Sequence, residues 1–189
     1  MTRLYIDFDP KQLAAIETKL RDAKINIPKV LAAAVNDTAK QEKVQISARI
    51  REKVAIKKKD IDKYISFSRA SAGNTSAVLK LSKSARIGLK YFGARQTKAG
   101  VTYKIDKGGG RKLVPGAFGP EIPRLGGQVF KRVGKSRLPI RKLLGPSPWG
   151  AFVKSGMIRQ TKTSIAANLR KNLERRAKFE LLKKSGQIV

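Results

Sequence analysis

The sequence has no cysteine and no histidine. The first absence excludes disulfides, thiolate nucleophiles and thiolate-bound metals, although it leaves the redox compartment open. The second removes the side chain that ordinarily serves as an acid–base catalyst near neutral pH. Acids are scarce too, with 13 Asp and Glu against 43 Lys and Arg, for a net charge of +30. Aromatic residues make up 6% of the chain, and Trp149 is the single tryptophan. No apolar run approaches the ~20 residues of a membrane-spanning helix. The opening MTRLYIDFDPKQ lacks the apolar core of a signal peptide. The expectation is a soluble protein made in the cytoplasm, with no membrane partner.

Little is left for catalysis. General acid–base chemistry needs a titratable group tuned near neutrality, and here the acids are scattered. Asp60 and Asp62 suggest a cation site, but Lys57, Lys58, Lys59 and Lys63 surround them and compete electrostatically. Asp60 is read instead as the start of a capped helical turn. Gly134-Lys135-Ser136 has the ending of a phosphate-binding loop. That loop needs a glycine five residues earlier, where Val129 stands, and a helix after it, where Pro139 intervenes. Ser136 has no base near it in sequence. No enzyme activity, cofactor or metal is expected.

What is abundant is positive charge. At +30, self-repulsion opposes compaction and assembly unless an anionic partner screens it. The segment 128–147, QVFKRVGKSRLPIRKLLGPS, concentrates Lys131, Arg132, Lys135, Arg137, Arg141 and Lys142 without an acid. From the residues alone, a sequence-nonspecific nucleic-acid-binding protein is the leading reading, since helix-turn-helix spacing, zinc ligands and RNP-like aromatic pairs are all missing. Tyr91 and Phe92 could stack on bases, but core packing is the commoner use of such residues.

Periodicity supplies the elements. RLYIDF (3–8) reads as a strand, with Asp9 capping a helix over about 10–23. Pro28 opens a longer helix reaching Val54, with only partial burial in its polar middle, AKQEKVQ. Period-two patterns at 65–69, 77–82, 87–92 and 101–106 read as strands, with turns at 70–76 and 94–100. KGGGRK (107–112) reads as a mobile basic tip, and 113–119 and 128–133 as further strand pieces. The prolines of LLGPSPWG indicate an extended linker anchored by Trp149. An apolar stripe of Ile158, Ile165, Leu169, Leu173 and Ala177 marks a last helix over 157–184. The expected fold is α+β: N-terminal helices, an antiparallel meander of about five or six strands, and a C-terminal helix packed on the sheet. It forms one domain over 1–189, comprising a helical part (1–56), a β-rich part (57–140), a Pro/Gly linker (141–156) and the last helix (157–189).

Several stretches taken together resemble the minor tail protein Z family of tailed bacteriophages and prophages. They are Phe92-x-Ala94-Arg95-Gln96-Thr97, Pro115-Gly116-Ala117-Phe118, Val129-Phe130-x-Arg132, Ser136-Arg137-Leu138-Pro139-Ile140 and Gly145-Pro146-Ser147. AAAVNDTAKQ (32–41) is similar to the family's opening helix. The likeness covers about 25–180, and no role is carried over to 107–127. It implies a structural, tail-completion protein of the virion, near the head-proximal end of the tail, with an element order like that of neck and tail-terminator proteins. It also implies a homo-oligomeric, six-fold ring beside neighbouring tail or neck proteins, with genomic DNA in its channel. Such a ring would carry on the order of +180 before screening. Arg95, Lys131, Arg132, Lys135, Arg137, Arg141 and Lys142 are then the candidate interface or DNA contacts. Pro139, Gly145, Pro146 and Trp149 are the candidate structural linker residues.

Overall fold

In the computed structural model, residues 2–6, 10–154 and 156–187 are described. They divide into two compact units that interleave along the chain. One holds residues 2–46, 66–80 and the stretch from Met157 onward; the other holds 47–65 and 81–156.

The first unit is mainly helical. Helix α1 (Pro10–Asp22) and the long helix α2 (Ile27–Lys53) flank a tight turn, and α5 (Ile158–Lys184) closes the unit. At the turn Lys24 takes φ 52° and the Ile25 amide donates to the Leu20 carbonyl at 2.9 Å. Asn26 Oδ1 accepts the Lys29 amide at 3.0 Å, satisfying a donor that the start of α2 would otherwise leave bare. Leu20, Val30, Leu31, Ala34, Leu173 and Ala177 form the apolar cluster, with Ile16, Ile25, Ile27 and Leu181 at its margin. Lys184, in the last turn of α5, donates to the Ala23 carbonyl and, at 3.3 Å, to that of Lys24.

The expected partial burial in the middle of α2 is found: Ala39 and Glu42 are fully buried while Lys40, Gln41 and Val44 are exposed, so Glu42, like the neighbouring Thr38, is a buried polar residue. Polar groups of α5 explain this. Ser164 Oγ donates to Glu42 Oε1 at 2.6 Å, and Asn168 Nδ2 does so at 2.8 Å. Asn172 Nδ2 donates to Thr38 Oγ1 at 2.9 Å and Gln41 Oε1 at 3.0 Å. The VNDT run of the opening helix thereby gains specific work for each residue. Val35 is core, and Thr38 belongs to this polar seam. Asn36 holds the Ala70 backbone through both its amide groups, at 3.0 and 2.9 Å. Asp37 accepts from Arg175 at 2.8 Å and Arg176 at 2.7 Å. Strands β1 (Thr2–Ile6), β2 (Ile65–Ser68) and β3 (Ala77–Leu81) make a three-stranded sheet with β3 central. The expected continuation of β1 to Phe8 and the cap at Asp9 fall outside the described residues.

The second unit is built from short strands. β4 (Arg95–Thr97), β5 (Gly100–Tyr103) and β6 (Lys112–Pro115) form one antiparallel sheet. β7 (Ala117–Phe118), β8 (Phe130–Arg132) and β9 (Ile140–Lys142) form another. The α+β class is as expected, but among the described residues the strands number nine and fall in three sheets rather than one meander. The expected turn at 94–100 contains β4. Its hairpin is locked by Thr97 Oγ1 and Gln96 Nε2, which donate to the Gly100 carbonyl at 2.9 and 3.1 Å. Gly100 has φ 148°, and a Cβ there would lie 2.2 Å from the Val114 carbonyl oxygen, so no larger residue fits.

Residues 87–92 are not a strand. Gly88 forms an isolated bridge with Leu144, and Leu89–Phe92 is a 3₁₀ turn that buries Leu89 and Phe92. The spacing of those two side chains imitates alternation over so short a run. Asp60 does not cap a helix either. Lys57 occupies that position before α3 (Lys58–Ile61), while Asp60 lies inside the turn, buried and paired with Lys63 at 3.2 Å. The region expected as an extended linker contains β9 and a helix, α4 (Pro148–Lys154), whose first turn Pro148 suits. Residues 107–112 are tied down: Lys107 donates its amide to the Lys53 carbonyl at 2.9 Å. Arg111 Nη2 donates to the carbonyls of Gly93 at 2.5 Å and Thr102 at 3.0 Å. Among the described residues no helix is long and apolar enough to cross a membrane.

Candidate assembly and nucleic-acid interface

The β8–β9 hairpin gathers six of the seven candidate contact residues. Its register places Phe130 opposite Lys142, Lys131 opposite Arg141 and Arg132 opposite Ile140. The Val133 amide donates to the Pro139 carbonyl at 3.1 Å and closes the base of the loop that carries Lys135 and Arg137. Residues 131–139, 141 and 142 are all exposed. Like charges directly opposite on one antiparallel pair destabilise it, so the Lys131–Arg141 pairing opposes the stability of the hairpin that bears it. The side chains of Lys131, Lys135, Arg137, Arg141 and Lys142 form no hydrogen bond or ion pair with any described residue. Arg132 differs, since its guanidinium lies 5.6 Å above the Phe118 ring and is braced by β7. Arg95 is not part of this group. It stands exposed on β4, opposite Thr102, in the other sheet.

The four proposed structural residues separate likewise. Pro139, exposed and joined to Leu138 by a cis peptide bond, supplies the carbonyl that closes the hairpin loop. Gly145 and Pro146 sit in a backbone ladder with Ile87: Gly145 donates to the Ile87 carbonyl at 2.7 Å, and the Pro146 carbonyl accepts the Ile87 amide at 3.2 Å. Gly145 packs so tightly that a Cβ would meet the buried Phe92 ring at 2.6 Å. Trp149 lies in α4 rather than in a linker. Its amide donates to the Ser82 carbonyl at 3.2 Å, and its half-buried ring meets the fully buried Phe152 at 5.8 Å between centroids.

A second basic feature escaped the sequence reading. Lys57, Lys59, Lys63 and Lys90 line a cleft of about 480 Å³ with Tyr91 and the buried Asp60. Lys63 and Lys90 place their ammonium groups 5.6 and 5.0 Å from the Tyr91 ring centroid, and Phe92 is core. Phe92 therefore presents no face to a base, and the Tyr91 ring is already engaged by two cations. The alternation of Lys90 with Tyr91 was the available signal; that Lys57–Lys63 would fold beside it was not.

The hairpin thus presents a positively charged, strand-built surface. The model of the prophage minor tail protein Z family matches residues 14–184, so the chain belongs to that family. It is thus a structural protein of a bacteriophage tail. No curated protein and no solved structure matches the chain.

Proposed function

We propose that this protein completes the tail at its head-proximal end, assembled as a six-fold ring whose basic side chains reach the genomic DNA and the proteins beside it. Family membership supports the tail assignment. The observation that supports the rest is the set of exposed cations without partners on the β8–β9 hairpin, where like charges face each other across the strands. An anionic partner relieves that repulsion and supplies the missing energy. Ring closure by repeated head-to-tail contact multiplies the same surface around one axis. The arginines Arg132, Arg137 and Arg141 suit carboxylate or phosphate through paired N–H donors that lysine lacks. In a chain without histidine or cysteine and with few, scattered acids, a mechanical role is the simpler one.

The assay is duplex DNA binding by the assembled protein across a salt series. Affinity is expected to ignore sequence and to fall by about three orders of magnitude or more between ~50 and ~200 mM salt, as for a site making several phosphate contacts. A strong preference for one sequence, or no binding at ~50 mM salt, would refute the DNA contact.

A further inference from the structure

The hairpin loop carries more than charge. Val133 and Leu138 are each 67% exposed, the highest exposure recorded for large apolar side chains among the described residues. They flank the base of the loop, where Val133 and Pro139 are hydrogen-bonded. Gly134, Lys135, Ser136 and Arg137 form the apex beyond them. Apolar side chains held outward among exposed cations mark a surface made for contact. We infer that residues 133–138 are a docking loop for an acidic protein with an apolar pocket, a neighbour in the tail other than a second copy of this chain. The inference rests on the virion role proposed above.

Three candidate occupants fit the loop unequally. Duplex DNA satisfies the cations, but its phosphate surface leaves Val133 and Leu138 in water. Wedges that enter a minor groove need the apolar residue at the leading point, whereas here the leading residues are polar. A second copy brings the wrong charge. Its exposed acids Asp22, Glu52 and Glu121 are few beside 43 Lys and Arg, while Asp37, Asp60, Asp62 and Glu174 are already in ion pairs and Glu42 is buried. An acidic protein surface with an apolar depression answers both halves of the loop. Complementary charge steers the encounter, and the buried apolar pair holds it.

The test uses the full-length chain in particles produced by a phage or prophage that carries this gene. Leu138 is replaced by the photo-crosslinking amino acid benzoylphenylalanine, particles are purified and irradiated, and the adduct is identified by mass spectrometry. The expected product is a crosslink to one particle protein of acidic composition. A crosslink to DNA, to a second copy, or to nothing overturns the inference. In parallel, the double variant Val133→Ser, Leu138→Ser should keep its circular dichroism and its duplex DNA affinity within twofold, while its incorporation into particles falls at least tenfold. Normal incorporation, or DNA affinity lost in step with it, overturns the docking role. If the unmodified chain is missing from purified particles, the virion role itself fails. If it is present and crosslinks to no acidic protein, only the docking role does.

Discussion

Removing the donors to Glu42 should unfold the helical unit out of proportion to the atoms lost. Glu42 is fully buried, and its Oε1 accepts from Ser164 at 2.6 Å and Asn168 at 2.8 Å. A hydrogen bond to a charged group contributes about 1.5–3 kcal/mol, so Ser164→Ala and Asn168→Ala should each cost about that much. For a chain of this size each kcal/mol lowers Tm by about 2–4 °C. The double variant strips both donors from the same oxygen and should cost more than the sum, because two donors on one oxygen couple. Adding Glu42→Leu to the double variant removes the stranded carboxylate and should recover at least about 1 kcal/mol, since a matched apolar replacement is nearly neutral. Urea unfolding followed by circular dichroism gives these differences, provided the m-value stays constant. Single losses below about 0.5 kcal/mol, or a triple variant less stable than the double, would refute the view that α2 and α5 are joined by a polar seam.

Other consequences can be measured with the same preparations. Phe152→Ala should cost about 3–5 kcal/mol, because the ring is fully buried; Trp149→Ala, half-buried, should cost about 1–2.5 kcal/mol, and thermal melts that reverse this order contradict the packing described. Gly145→Ala should destabilise by about 1–3 kcal/mol through overpacking, since its Cβ would lie 2.6 Å from Phe92; an unchanged Tm would show that the ring yields freely. Arg137→Lys should leave Tm unchanged, because the exposed side chain has no partner among the described residues, while incorporation into tails falls. A lowered Tm with normal incorporation of the folded fraction would reverse the role given to Arg137.

The helices were legible because their signals are local. Pro10 and Pro28 sit in first turns, and the stripe Ile165, Leu169, Leu173, Ala177 repeats at four residues, so α1, α2 and α5 could be placed to within a residue or two. The partial burial of the middle of α2 was legible, but that Thr38 and Glu42 would be its buried polar residues was not, because their partners Ser164, Asn168 and Asn172 lie more than a hundred residues away. Polar residues look solvated until the element that satisfies them is known. Period two placed β1, β2, β3, β5 and β8, but strands of two or three residues such as β4, β7 and β9 gave too little of it. Leu89 and Phe92 passed for alternation inside a 3₁₀ turn, and the prolines at 146 and 148 concealed α4. In the candidate interface the charge was visible in the sequence. The register that sets Lys131 against Arg141, and the exposure of Val133 and Leu138, depend on β9, which the linker reading passed over.

The proposed position is a ring at the head-proximal end of the tail, with the β8–β9 hairpin turned toward an anionic neighbour. Electron cryo-microscopy of purified particles tests it most directly. The expected result is density for the fold at the head–tail junction in symmetric copies, with residues 130–142 against DNA or an acidic protein surface. Density at the distal tip or along the tail tube, or a hairpin facing open solvent in every copy, would contradict it.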